Sequence, residues 1–240
     1  MSKLILGTAN FSQSYGLKNG KQIKEDEIKR ILQTAIDNGI NQLDTSTIYN
    51  SAESKPVKII KTIKKVEDYW HYSSIKELSH GIDRINDRQW DGVSVDTPEE
   101  ALKVTKMKMR IIQFPYNVFD HSIADTNFFK LTEKYKITTI ARSIFLQGLL
   151  LMDNPPIGRE YIKKLDNIIK PYGLSRKEAV FLFAYRNAGI DYVIVGIDNA
   201  EQLLELISMT KYYLPDSLFD ELLDIDDIPE EIKYPWRWKL

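Results

Sequence analysis

The chain has 240 residues, 43% of them hydrophobic, with a net charge of −1 and no cysteine. That length suits one domain, residues 1–240, with a large buried core, and lies near the ~250 residues of a (β/α)8 barrel. The balanced charge gives no electrostatic basis for binding nucleic acid or an anionic membrane, and the missing cysteines exclude disulfides, a thiol nucleophile and thiolate metal ligation.

Short apolar, β-branched runs alternate with stretches of helical period along the chain. Leu4–Gly7 reads as the first strand. Ile28, Ile31, Leu32, Ala35 and Ile36 form one helical stripe, closed by Gly39. Gln42–Thr45 reads as the second strand. The lysine-rich stretch Lys55–Lys65 reads as the wet face of a helix, and Trp70–Lys76 as the third strand. Gly92–Asp96 is the next strand, and Thr97-Pro98-Glu99-Glu100 after it carries a cap, a proline at the first helical position and a capping box. Ile111–Pro115 and Thr138–Ser143 follow as strands. Ser175-Arg176-Lys177-Glu178 repeats the capping logic before a helix through Asn187. Tyr192–Gly196 is the last strand, and Asn199–Thr210 the helix after it. The tail Pro235–Leu240 reads as a packing segment that could also border a ligand pocket.

Strand–helix alternation of this kind predicts a parallel α/β sheet or barrel. Seven strands are counted where a closed barrel has eight. The shortfall falls between Lys76 and Ile111, where one βα unit is missing. The exposed edge calls for a cover, from residues 77–90, from closure across the gap or from a second copy of the chain. Three scattered histidines argue against a structural zinc; no metal site is expected. No apolar run approaches the ~18–20 residues of a membrane span, and the chain starts directly on a strand, without a signal peptide. A soluble cytoplasmic protein is expected.

The most informative segment is Leu43-Asp44-Thr45-Ser46-Thr47-Ile48-Tyr49-Asn50-Ser51-Ala52-Glu53. An apolar approach delivers Asp44 to a strand's C-terminal end, where barrels keep their chemistry. The segment resembles the D-T-A-x-x-Y-G-x-S-E signature of the aldo-keto reductases, with Asn50 in place of the usual glycine. Four further stretches resemble the same family in order: Leu6–Phe11, Gly92–Glu100, Ile112–Asp120 and Ala141–Leu150; Val193–Gly196 with Gln202-Leu203 resembles its last strand and helix.

The resemblance implies a TIM-type barrel, incomplete here, that reduces a small carbonyl substrate with NADPH or NADH. It implies Tyr49 as the proton donor, Lys76 as the cation that eases proton loss from a phenol of ordinary pKa near 10, and Asp44 as the residue holding Lys76. The family's histidine has no clear counterpart. His80 is one candidate, with an ordinary surface histidine as the other reading. Asp96 is a second, at the C-terminal edge of its strand whether that strand is the family's fourth or fifth. For the cofactor the resemblance implies Ser94, Gln113, Ser143, Phe145, Gly148 and Gly196. The aromatic that commonly stacks on the nicotinamide is Arg142 here. The stretch Gly196-Ile197-Asp198-Asn199 lacks the cations that hold a 2′-phosphate. A relative that binds a metabolite or protein partner without redox chemistry remains the rival, as does cofactor-free proton transfer by Tyr49 and Asp96.

Overall fold

The computed structural model describes residues 3–12, 16–17, 23–46, 61–65, 92–107 and 109–239. Seven strands form one sheet: β1 (Leu4–Gly7), β2 (Gln42–Ser46), β3 (Lys61–Lys65), β4 (Gly92–Ser94), β5 (Ile111–Pro115), β6 (Thr138–Arg142) and β7 (Tyr192–Val195). Their order is β3-β2-β1-β7-β6-β5-β4, and every pairing is parallel.

The sheet is strongly curled. Gln113 on β5 donates a hydrogen bond of 2.9 Å to Asp44 on β2, although these strands stand four places apart. At about 4.8 Å per strand a flat sheet would hold them roughly 19 Å apart. The result is an incomplete barrel, open between β3 and β4 among the described residues. Residues 66–91, which connect these two strands, lie outside the described residues.

Alternation along the strands divides inside from outside. Ile5, Ile140 and Ile194 meet in a small inner cluster with Ile111 and Tyr192. Their neighbours Leu4, Leu6, Ile112, Phe114, Ala141, Val193 and Val195 belong instead to the large cluster shared with the helices. The same parity carries Gly7, Asp44, Ser94, Gln113 and Arg142 to the inside, one layer nearer the strands' C-terminal ends.

Seven helices of at least eight residues are described. They are α1 (Glu25–Asp37), α2 (Pro98–Lys106), α3 (Phe128–Tyr135), α4 (Arg159–Ile169), α5 (Arg176–Arg186), α6 (Ala200–Met209) and α7 (Asp216–Leu223). The stripe on α1 is buried at Ile28, Ile31, Leu32 and Ala35, and Gly39 after it has φ +73°, a left-handed turn that glycine permits without strain. Capping boxes close the starts of α2 at Thr97 and of α5 at Ser175. Helix α5 is buried from Ala179 to Ala184, and its Phe183 stacks on Tyr116 with centroids 5.2 Å apart. In the tail, Trp238 donates to the Ile232 carbonyl at 3.1 Å and Tyr234 stacks on Trp236 at 4.9 Å, so this segment packs on itself. Among the described residues, no helix is long and apolar enough to cross a membrane, and no group of three or more His, Cys, Asp or Glu side chains could hold a metal.

One expectation is corrected. Lys61–Lys65, read from its charge as the wet face of a helix, pairs with β2 over its whole length, Gln42 opposite Lys61 through Ser46 opposite Lys65. Among the described residues it ends the sheet on that side, and lysines are common on edge strands, where they discourage pairing with other chains. The segment Trp70–Lys76, expected as the third strand, lies outside the described residues.

Gly92 on β4 stands opposite Ile111 on β5. A Cβ there would stand 2.5 Å from the Ile111 carbonyl oxygen, and backbone of a paired strand cannot step aside cheaply. Gly92→Ala is therefore expected to destabilise the protein by about 1–3 kcal/mol, read as a lowered urea midpoint.

Candidate functional site

The inner polar layer is one connected chain of hydrogen bonds. The Arg142 Nε donates to Ser94 Oγ at 3.2 Å, Ser94 Oγ donates to Gln113 Oε1 at 2.9 Å, and Gln113 Nε2 donates to Asp44 Oδ1. Arg142 also donates to the Val95 carbonyl at 2.9 Å and to Ser143 Oγ at 3.3 Å, and forms an ion pair with Asp96. The chain crosses the mouth from β6 through β4 and β5 to β2. Asp44, Gln113 and Arg142 are all buried, and Thr8 fixes the Asp44 carbonyl with both its N–H and its hydroxyl, at 3.0 and 2.9 Å.

Beside this layer lies a cavity of about 550 Å³, inside the range of small-molecule and cofactor sites. It begins at Gly7, Asp44 and Arg142, passes Gly196 at the end of β7, and runs out between Ser175-Arg176-Lys177 at the start of α5 and Gln202 and Leu206 on α6. One wall is the loop after β6, from Ser143 to Gly148. Ser143, Leu146 and Gln147 there have φ of 57°, 47° and 52°, a strained run of the kind that clusters at ligand sites. Two contacts hold it: Asn117 Nδ2 donates to the Ser143 carbonyl at 3.1 Å, and the Leu17 N–H donates to the Gln147 carbonyl at 3.0 Å.

The residue types in this cavity suit an extended, partly polar ligand. A Cβ on Gly196 or Gly148 would meet nothing within 4 Å, so bare backbone faces open space at two points. The buried Asn10 Oδ1 has no hydrogen-bond donor, which leaves an acceptor ready in the wall. At the far end Arg176 is committed elsewhere: Nε and Nη2 grip Asp166 at 2.6 and 3.0 Å, and Nη1 donates to the Met152 carbonyl at 2.7 Å.

Of the residues singled out in the sequence, Asp44, Ser143, Phe145, Gly148 and Gly196 line the cavity. Ser94 and Gln113 lie in the chain linking Arg142 to Asp44, and Asp96 is bound to Arg142 without lining the cavity. Tyr49, Lys76 and His80 lie outside the described residues. Asn10 and Arg176 were missed as site residues. Asn10 carried a usable signal, a polar residue three positions past an inward glycine at a strand end.

Burial pushes the Asp120 carboxyl, in the loop after β5, up to about 6, a rise opposed by Lys233, the Ser122 hydroxyl and Arg142. A carboxyl whose folded pKa exceeds its unfolded value binds an extra proton in the native state between the two. The stability this gives is present at low pH and lost as pH rises from about 4 to about 6. Asp120→Asn should therefore gain on the wild type across that window. A gap of about two pH units corresponds to at most about 3 kcal/mol, read from urea midpoints at about pH 4 and about pH 7.

Comparison with known proteins agrees with this geometry. The model of the aldo/keto reductase family matches residues 3–72 and 91–227. Among solved structures, the aldo-keto reductase AKR11C1 from Bacillus halodurans, in its holo form, superposes with a TM-score of 0.64 at 14% identity, covering 98% of this chain and 94% of that one. The glycerol dehydrogenase AKR11B4 from Gluconobacter oxydans gives a TM-score of 0.58 at 16% identity, covering 96% and 94%. No curated protein sequence matches the chain.

Proposed function

The chain belongs to the aldo/keto reductase family, and from that premise we propose that it is a cytoplasmic oxidoreductase that reduces an aldehyde or ketone with NADH or NADPH. The observation that carries this reading is the cavity running from Asp44, past the bare backbone of Gly196, to the groove between α5 and α6. An extended nucleotide fits that course, with its reacting end at the polar layer. The bound nicotinamide supplies the hydride.

The chain's own residues manage position and protons. Tyr49 donates the proton to the carbonyl oxygen. Lys76 provides the charge that eases this transfer, and Asp44 orients Lys76. Asp44 can do so because its own place is fixed by Gln113 and Thr8. Asp96 and Ser94 hold the Arg142 guanidinium at the mouth, where it acts as a positioning residue. Ser143, Phe145, Gly148 and Gly196 form the wall along which the nucleotide lies.

Two substitutions test the assignment. Tyr49→Phe is expected to lower turnover by about 10²–10⁴ while leaving nucleotide affinity unchanged, measured by oxidation of the reduced nucleotide with a panel of aldehydes and ketones. Gly196→Ala meets no atom within 4 Å and should leave stability unchanged. It should weaken nucleotide binding by about tenfold or more, which is about 1.4 kcal/mol. A wild-type protein that neither binds nor oxidises a nicotinamide nucleotide would end the reductase reading in favour of a metabolite-binding relative.

A further inference from the structure

The cavity wall after β6 is left-handed at Ser143, Leu146 and Gln147, and such backbone persists only where its surroundings over-determine it. At the start of this wall a side chain does the work of backbone. Just past β5 and β6, the Tyr116 N–H donates to the Arg142 carbonyl at 3.1 Å. One residue on, the side chain takes over, and Asn117 Nδ2 donates to the Ser143 carbonyl at 3.1 Å. The same oxygen accepts from the Leu146 N–H at 2.8 Å. The Leu146 bond lies within the loop and would move with it. The Asn117 bond ties the loop to a different element.

The other end of Asn117 is itself fixed. The residue is fully buried, and its Oδ1 accepts from the Phe119 N–H at 2.9 Å and the Asp120 N–H at 3.0 Å. Its backbone exchanges two more bonds with Asp120, at 2.9 and 3.0 Å. The amide has one workable orientation, oxygen toward the two N–H groups and nitrogen toward the carbonyl. Beside this turn, Tyr116 stacks on Phe183 and its hydroxyl accepts from Asn187. Arg142 Nη1 reaches Ser143 as well, but at Oγ and 3.3 Å, away from the backbone carbonyl. Asn117 is not among the residues lining the cavity, so its effect on a ligand passes through Ser143.

We propose that Asn117 is a positioning residue for the ligand: by fixing the Ser143 carbonyl it keeps the wall from Ser143 to Gly148 in its binding shape. The inference rests on the nucleotide reading above and deepens it, naming a residue that acts from outside the cavity. A wall already held in shape spares the ligand the cost of ordering it. Loss of the tie therefore weakens binding while the barrel stays folded.

Asn117→Asp separates the two ends of the side chain. The variant has the same size and keeps an oxygen for the Phe119 and Asp120 N–H groups. Ionised, it turns a second acceptor toward the Ser143 carbonyl, and the tie is lost. Protonated, its O–H donates to that carbonyl, and the tie returns. Burial raises the pKa of a carboxyl, as it does for Asp120 in the same turn, so the new carboxyl is protonated at about pH 5 and ionised at about pH 8. The measurement is the affinity for ADP-ribose, which cannot transfer hydride, by calorimetry at both pH values. Each value is read as a ratio to the wild type at the same pH, so that groups common to both proteins cancel. Asn117→Asp is expected to bind about tenfold or more weakly than the wild type at about pH 8, and within about threefold of it at about pH 5. Asn117→Ser carries no charge. Its hydroxyl serves the turn and falls short of Ser143, so it should weaken binding by a similar factor at both pH values. Thermal unfolding identifies the folded variants. A folded variant that binds within about threefold of the wild type at about pH 8 overturns the proposal, as does a loss in Asn117→Asp that persists at about pH 5. Failure of both variants to fold overturns it too, because Asn117 would then serve the fold and not the wall. These outcomes leave the reductase reading intact. A wild type that binds none of ADP-ribose, NADH and NADPH overturns both.

Discussion

The mouth of the barrel depends on a chain of hydrogen bonds whose direction is set by its two ends. A guanidinium only donates and a carboxylate only accepts, so the path from Arg142 through Ser94 and Gln113 to Asp44 runs one way. The Gln113 amide, whose nitrogen and oxygen are hard to tell apart by shape, is oriented by this argument: its NH₂ faces Asp44 and its carbonyl faces Ser94. Four side chains from four strands thus become a single unit. Gln113, buried between Ser94 and Asp44, would be left with an unmet polar group if either neighbour were lost, a cost of about 1–3 kcal/mol. The curl of the sheet is what brings β2 and β5 close enough for the last link.

The layers above and below this unit follow from it. Beneath, Ile5, Ile140 and Ile194 fill the inside with apolar side chains, so the barrel is plugged and the mouth has a floor. At the polar layer, Gly7 and Gly196 bring no side chain and line the cavity, and a Cβ on Gly196 would meet nothing within 4 Å. Outside, Tyr116 packs on Phe183 and its hydroxyl accepts from Asn187 at 2.7 Å, while Asn117 reaches across to the strained Ser143. The left-handed residues of the cavity wall therefore sit on a rigid aromatic base, which is the condition under which such strain persists.

Much of this was legible in the sequence because parallel strands buried on both faces are continuous apolar runs. Leu4–Gly7, Ile111–Pro115 and Thr138–Arg142 announce themselves that way, and the capping boxes at Thr97 and Ser175 locate two helices to the residue. Lys61–Lys65 did not, because its composition is that of a solvated segment; Thr62-Ile63 was its sole β-branched signal. Among site residues, Asp44, Ser143, Phe145, Gly148 and Gly196 were placed by family likeness and do line the cavity. The connection between Arg142 and Asp44 was not readable. It joins positions almost a hundred residues apart on strands that are not neighbours, and only the curl of the sheet puts them in reach.

The binding wall and the reacting group are separable parts of this architecture. Every described residue that lines the cavity comes from β1, β2, β6 or β7, from the loops that follow them, from α4, α5 or α6, or from the cap of α5 at Ser175. These elements are joined by the central pairings of the sheet, β2 to β1, β1 to β7 and β7 to β6, and by the Arg176–Asp166 grip between α5 and α4. Among the described residues, none of them belongs to β3 or β4. Tyr49 and Lys76 belong instead to the sequence between β2 and β4. The cavity is thus built from one connected set of elements.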